Sequence, residues 1–179
     1  MDTKLKADIA ESAVMTELLK RGFRVLKPVG DRLAYDLAVD FSAGKLVRIQ
    51  VKSAWFDAKT RCYIVDARRT KTNRRRMLRS RYQEDDFDFA VLYLADLNVF
   101  YVMPMSVFTS YGSTITIVET DKKQRKPRTA DYRERWDLLS DGLLGWKQPK
   151  DNLSKSVDPL ALARGNTEPS PLVLVNGKV

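Results

Sequence analysis

A carboxylate, an amide and a lysine lie close together in one short stretch of the sequence, residues 35–53. Asp36 comes first, and Gln50 and Lys52 follow beyond a turn. The chain has no histidine, which excludes Ser-His-Asp hydrolysis, histidine-bound zinc and nucleases that use a histidine base. It also lacks the glycine-rich patterns that cradle nucleotide phosphates. Any catalysis must therefore rest on carboxylates, amides, lysines and a metal.

This stretch predicts two strands joined by a tight turn. Because strand side chains alternate between faces, each strand has one apolar face. The apolar sets are Leu37, Val39 and Phe41 on the first strand and Val47, Ile49 and Val51 on the second. If both sets face one core, Asp36 lies across from Gln50 or one diagonal step away, with Lys52 alongside. A slip of one residue would bury Asp36 and Asp40 and expose apolar side chains, so the pattern argues against it.

A second carboxylate, Glu11, lies on the first predicted helix. That helix spans residues 3–21, with Gly22 as its stop. Glu11 falls in the middle of an apolar stripe formed by Ala7, Ala10, Val14, Met15 and Leu18. One interpretation is a partly buried glutamate paired with a nearby lysine or arginine. The other is a metal ligand that faces the Asp36 site.

The rest of the chain predicts mostly strands. They fall at residues 23–29, 60–67, 87–94, 99–103 and 113–119, with a short helix at 105–111 and an amphipathic stretch at 132–139. The strands at 87–94 and 99–103 form a central hairpin. Cys62 lies in a strand, which favours a small buried thiol over a nucleophile. The acidic cluster at 84–88 is interpreted as a polar turn that enters a strand, not as a metal site.

Two basic segments, at residues 68–81 and 121–135, are the candidate DNA-binding arms. The first contains no acid, and the whole chain has a net charge of +9 with a pI near 9.7. Such a run can be no more than a solvated face, but its density favours contact with nucleic acid phosphates. The candidate contacts are Arg68, Arg69, Lys71, Asn73, Arg74, Arg75, Arg76, Arg79, Arg81, Lys122, Lys123, Arg125, Lys126 and Arg128.

Length and composition predict one domain, residues 1–144, followed by a loosely packed tail at 145–179. The tail is polar and interrupted by prolines. The N-terminus lacks an apolar leader, and no apolar run is long enough to span a bilayer. With a single cysteine, these features predict a soluble cytoplasmic protein with no membrane partner.

Glu11, Asp36 and Gln50-x-Lys52, in that order and spacing, resemble the motif of the PD-(D/E)XK nuclease superfamily. Residues 30–36, 47–52, 86–93 and 101–104 look most like the bacterial branch that includes group I intron homing endonucleases. The resemblance covers about the first 105 residues. It implies an α/β, restriction-endonuclease-like core, in which helices flank a mixed central β-sheet in α-β-β-β-α-β order.

The superfamily's roles carry over to four positions. Asp36 and Gln50 would bind magnesium, with manganese as a substitute, and Glu11 would bind it directly or through water. Lys52 would orient the attacking water or stabilise charge on the phosphate; the alternative for Lys52 is a snorkelling surface lysine. Gln50 departs from the pattern, because the superfamily usually has Asp or Glu there. An amide oxygen is a neutral ligand.

The resemblance implies a sequence-specific, magnesium-dependent endonuclease that cuts double-stranded DNA, most similar to homing endonucleases. Because one active site cuts one strand, we expect a homo-oligomer, either a dimer or a dimer of dimers. Two alternatives stay open at this point. One is a Holliday-junction-type nuclease of the same superfamily, and the other is a DNA-binding protein without catalysis.

Overall fold

The computed structural model describes residues 2–30, 32–41, 44–72, 77–119 and 127–141, all within a compact unit that spans Met1–Gly145. The predicted tail at 145–179 and parts of both basic arms lie outside the described residues. The elements are α1 (Thr3–Lys20), β1 (Arg24–Leu26), β2 (Leu37–Asp40), β3 (Leu46–Ser53), β4 (Trp55–Asp57), β5 (Cys62–Asp66), β6 (Arg69–Thr72), β7 (Met77–Ser80), β8 (Phe89–Leu94), β9 (Val99–Pro104), α2 (Met105–Thr109), β10 (Thr114–Ile117) and α3 (Asp137–Asp141).

The first helix has the predicted start and stop. The side chain of Asp2 accepts a hydrogen bond from the Lys4 amide, which caps the helix. At the other end Gly22 has a φ of 81°, and the Phe23 amide donates to the Leu18 carbonyl at 3.1 Å. This is the bonding of a Schellman motif, which favours glycine at the left-handed position. Between these ends, Ala10, Val14 and Leu18 form the face of α1 that packs on the sheet.

A five-stranded mixed sheet forms the centre of the fold, in the order β1-β2-β3-β8-β9. Only β3 and β8 run parallel, and the other neighbours are antiparallel. The predicted fold class, a mixed sheet flanked by helices, is therefore confirmed. The predicted hairpin of residues 87–94 and 99–103 is confirmed as β8 and β9.

Both faces of this sheet are covered, which explains why β8 reads as a continuous apolar run. On one face, Val91 packs in a cluster with Val14 and Leu18 of α1. On the other face, Leu92 packs with Ile115 and residues of a second, three-stranded sheet ordered β10-β5-β4. Cys62, on β5, is a buried free thiol, as predicted.

The element order differs from the expected α-β-β-β-α-β pattern in the connection between β3 and β8. In the described part of that connection there are four strands, β4 to β7, and no helix. Two of them, β6 and β7, form a separate antiparallel hairpin. In the described part of the basic arm at 68–81, β6 and β7 therefore pair with each other and with neither of the other two sheets.

Other boundaries also shift. The strand expected at 23–29 is limited to Arg24–Leu26, since Pro28 has no amide hydrogen to donate to a ladder. The amphipathic stretch at 132–139 pairs by a bridge from Arg133 to Tyr101 before α3 begins, and its Trp136 is buried against the sheet. Within the described ranges, none of the helices is long and apolar enough to cross a bilayer.

Candidate active site

The pairing of β2 with β3 places Asp36 beside Gln50. Leu37 pairs with Ile49, and the Asp36 amide donates to the Ile49 carbonyl at 2.9 Å just before β2 begins. The predicted parity of the register is confirmed. The Gln50 side-chain Nε2 donates to Asp36 Oδ2, and the Val51 amide donates to the same oxygen at 2.7 Å. Asp36 is thereby fixed by two donors from the neighbouring strand.

Asp36 carries an uncompensated charge. Burial raises the pKa of its carboxyl to about 6, although the Val51 amide works in the opposite direction. The charge of Glu11 also raises this pKa, whereas Lys52 and Lys27 lower it from a distance. Within the described residues, no lysine or arginine forms an ion pair with Asp36. A buried carboxylate without an ion pair is stabilised by any cation that binds beside it.

Gln50 is the more enclosed member of the pair, with only 8% of its surface exposed. Its Nε2 also donates to the Val51 carbonyl at 3.1 Å, so the nitrogen has two acceptors. The amide nitrogen, and not the oxygen, therefore faces Asp36. For the Gln50 oxygen to join Asp36 at a shared cation, the amide must turn over.

Lys52 points into the protein and not into solvent. Its Nζ donates to the Arg68 carbonyl at 2.8 Å and lies 5.1 Å from the centre of the Tyr82 ring. Burial lowers the pKa of this amine, against the opposing charges of Asp36 and Asp66. Such an enclosed amine differs from the snorkelling lysine that the sequence left open. Lys52 is positioned to present a proton or a positive charge to the same space as Asp36.

The position of Glu11 is compatible with both interpretations, a paired glutamate and a metal ligand. It is a paired carboxylate, because Lys27 Nζ lies 3.0 Å from its Oε2. The side chain of Glu11 is 23% exposed and that of Lys27 is 57% exposed, so water has access to the pair. The Glu11 hydrogen bond raises the pKa of Lys27. Glu11 also faces the Asp36 cavity, so a cation there could draw it away from Lys27.

One cavity of about 560 Å³ brings the four predicted catalytic residues together. Glu11, Asp36, Gln50 and Lys52 all line it. Its wall further includes residues that the sequence did not single out for this site: Lys6, Trp55 and Asp66. No local pattern pointed to them: Trp55 and Asp66 lie on β4 and β5 of the second sheet, and Lys6 lies on α1 one turn before Ala10 and Glu11.

Asp66 is a carboxylate of the opposite kind. Arg68 holds it with its backbone amide at 3.0 Å and with Nε and a terminal nitrogen at 2.9 Å each. A second arginine, Arg79, lies 3.9 Å away. The hydrogen bond from the Arg68 side chain is the largest cause that lowers the pKa of Asp66. The charge of Asp66 is therefore already neutralised within the protein.

The cavity can hold a hard divalent cation. Carboxylate and amide oxygens are the donors that magnesium prefers, and Asp36, Glu11 and Gln50 supply them. In the described residues, no group of three His, Cys, Asp or Glu side chains could hold a metal. The donor set of this cavity is of another kind, since it has two carboxylates and one amide. The unpaired Asp36 carboxylate supports the fit.

The predicted DNA-binding residues are only partly brought together. Arg68 and Arg79 line the cavity, and Arg69 donates to the Leu33 carbonyl at 3.3 Å. Arg81 is exposed beyond β7. Arg128 lies against the Tyr111 ring at 4.7 Å and donates to Ser110, so it does not belong to the cavity. The side chain of Lys71 and the residues Asn73, Arg74, Arg75, Arg76, Lys122, Lys123, Arg125 and Lys126 lie outside the description.

The chain is similar to a known protein family and to a solved structure. A family model described as PD-(D/E)XK endonuclease matches residues 1–139. Among solved structures, the chain is similar to the one titled as the structure of a bacterial homing endonuclease, I-Ssp6803I. The two share 54% sequence identity, over 83% of this chain and 100% of that chain, with a TM-score of 0.75. The comparison with curated proteins gave no match.

Proposed function

The chain belongs to the PD-(D/E)XK endonuclease family, and from that premise we propose that it is a homing-type endonuclease that cuts double-stranded DNA at a specific sequence with magnesium. The observation that carries the proposal is the cavity in which the uncompensated Asp36 lies beside Gln50 and Lys52. The similarity of the chain to a homing endonuclease favours linear duplex over a branched junction as substrate.

The metal would be held by oxygen donors from three elements. Asp36 provides the charged ligand, Gln50 a neutral one after its amide turns over, and Glu11 a ligand direct or through water. Bound there, magnesium would polarise the scissile phosphate and lower the pKa of the attacking water. Glu11 would leave Lys27 as it turns toward the cavity.

Lys52 acts on the phosphate side of the cavity. Its amine is held by the Arg68 carbonyl and is partly buried, where a positive charge acts more strongly than in water. It can orient the water for attack or stabilise the negative charge that develops on the phosphate. The rigid β3 strand sets its distance from Asp36.

The basic arm supplies the wider DNA contact. Arg68 and Arg79 line the cavity, Arg69 and Lys71 lie on β6, and the sequence of the segment 68–81 adds further cations. Phosphate contacts of this kind position a duplex without reading its sequence. With several such contacts, DNA affinity should fall with salt at a log-log slope of about −0.9 per neutralised phosphate.

The two strands of a duplex need two active sites. We expect a homo-oligomer, a dimer or a dimer of dimers, since symmetric assembly is the usual solution. Light scattering of the free protein and of its DNA complex tests this expectation. A mass of only 20.5 kDa per particle in both states would contradict it.

Cleavage mapping on a randomised plasmid library tests the proposed function. Purified protein with magnesium should cut at one recurring sequence, and a chelator should stop the reaction. Asp40→Asn is a matched control, because Asp40 ends β2, the strand that begins directly after Asp36, but is not among the residues that line the cavity. No cleavage with either magnesium or manganese would contradict the proposal.

A further inference from the structure

Trp55 is a large aromatic residue in the wall of the catalytic cavity. It begins β4 and is 44% exposed. The next residue, Phe56, points to the other face of the strand, where its ring lies 5.2 Å from that of Tyr63. No aromatic ring of the described residues pairs with Trp55. Trp55 thus contributes exposed aromatic surface to the cavity wall.

Exposure alone does not assign Trp55 a role, because single apolar side chains on open surfaces are normal. The position of Trp55 is different, since it borders a cavity of about 560 Å³, within the size range of ligand sites. Lys6 of α1 and Arg68 line the same cavity. An aromatic wall beside cations is suited to a nucleotide, whose phosphate meets the charges and whose base meets the ring.

The chain fixes the distance between Trp55 and the reacting phosphate. Trp55 follows Lys52 by three residues, and three extended residues span at most about 10 Å. At a rise of 3.4 Å, this corresponds to about three base steps of DNA. The intervening Ala54 amide is bonded to the Tyr93 carbonyl at 2.9 Å, and Trp55 itself pairs with Ile64. The backbone at Trp55 is therefore held in place relative to β3, which carries Lys52.

We propose that Trp55 forms a stacking subsite for one base within about three base steps of the scissile phosphate. The subsite rests on the proposed function, because it places a DNA strand in the cavity. Stacking there separates the base from its neighbour and holds the strand in register with Lys52. Every base has an aromatic face, so the contact tolerates sequence. It sets the position of the strand and not the choice of target.

The test combines a variant with an altered substrate. Target duplexes from the cleavage mapping receive an abasic nucleotide at each of about three positions on either side of the scissile phosphate. Trp55→Ala should lower kcat/KM on intact DNA by about 5- to 100-fold, and Trp55→Phe should restore most of it. At one position, the abasic site should cause an equal loss in the parent and no further loss in Trp55→Ala.

Phe56→Leu is the control, since Phe56 is as exposed as Trp55, at 49%, but faces away from the cavity. It should keep kcat/KM within about twofold of the parent. Thermal unfolding of all variants separates a folding defect from a lost contact. If the losses from Trp55→Ala and from the abasic site multiply at every position, or if Trp55→Ala cuts like the parent, the stacking subsite is wrong.

A binding experiment keeps the subsite testable if the protein cuts nothing. A 30-bp mixed-sequence duplex is added with calcium, and tryptophan emission is compared between the parent and Trp55→Phe. Quenching that is lost in Trp55→Phe supports the subsite, even where the proposed cleavage fails. Equal quenching in both proteins, or no DNA binding at all, overturns it.

Discussion

Asp36 and Asp66 line the same cavity, yet their surroundings push their pKa values in opposite directions. Burial raises the pKa of Asp36 to about 6, and its hydrogen-bond donors among the described residues are the Gln50 amide and the Val51 N–H. The Arg68 side chain lowers the pKa of Asp66, with Arg79 nearby. Among the described residues Asp36 therefore has no cationic partner, whereas Asp66 is already paired with Arg68 and Arg79.

This contrast separates a ligand from a support. A paired carboxylate fixes the position of its arginines, and Asp66 holds Arg68 where the basic arm begins. An unpaired one is costly to the folded protein and is available to a metal. Strongly perturbed carboxylates in a cavity are candidates for function for this reason.

The largest difference should appear in cleavage. Asp36→Ala removes the charged ligand, so cleavage of the mapped target should fall by about 10³-fold or more. DNA binding should survive or tighten, because a carboxylate near phosphate is gone. Asp66→Asn leaves the ligand set intact and should cost less than about tenfold. Single-turnover cleavage and fluorescence anisotropy of labelled DNA measure the two effects, and equal losses in both variants would erase the distinction.

The charges of both carboxylates act on Lys52: they raise the pKa of its amine, against the larger lowering effect of burial. Lys52→Met keeps much of the side chain's volume but removes the amine, and cleavage should fall by about 10²- to 10³-fold. DNA affinity should change little, since one phosphate contact is one of several. Cleavage close to that of the parent would show that Lys52 only packs against Tyr82.

Stability without metal should depend on pH differently for the two carboxylates. The pKa of Asp36 in the folded protein, about 6, exceeds its usual value of 3.8, so its contribution is fully present below about pH 4 and is lost as pH rises through 6. Asp36→Asn should thus stabilise the protein by up to about 3 kcal/mol at pH 8 and by nothing at pH 4.

Asp66→Asn should show the opposite trend in the same measurement. Because the pKa of Asp66 is lowered, its contribution is present above its usual value and is lost as pH falls through the folded value. The variant should be less stable than the parent at pH 8, and the gap should close in acid. Urea unfolding with a chelator at a series of pH values measures both variants, and parallel curves would contradict the contrast.

Gln50→Glu should give the smallest change. It keeps the reach of the side chain and adds a charge beside Asp36, so the site should stay active and shift its preference among divalent ions by a few-fold. Relative rates with magnesium, manganese and calcium measure the shift. Loss of all activity would mean that the neutral amide is required for more than ligation.

The core of the site could be predicted because strand alternation acts locally. The apolar faces around Asp36 and Gln50 allow only one parity of register, and the structure has it. The stop of α1 at Gly22 was equally local. The motif's resemblance to a known family then supplied the role of each residue.

Contacts between distant segments could not be predicted. Lys27 reaches Glu11 only because β1 packs beside α1, and Asp66 enters the cavity through a second sheet. In the connection from β3 to β8 the sequence predicted the strand at 60–67, observed as β5, but not the short strands β4, β6 and β7. Asp88 was interpreted as part of a turn, and its ion pair with Arg48 at 2.9 Å depends on the parallel pairing of β3 and β8.

A titration of manganese into the protein without DNA tests the central claim most directly. If Asp36 holds the metal, calorimetry should show binding in the parent and in Asp66→Asn, and a loss of about tenfold or more in affinity for Asp36→Asn. Manganese binding that survives Asp36→Asn unchanged, or that disappears in Asp66→Asn alone, would place the metal elsewhere and contradict the account.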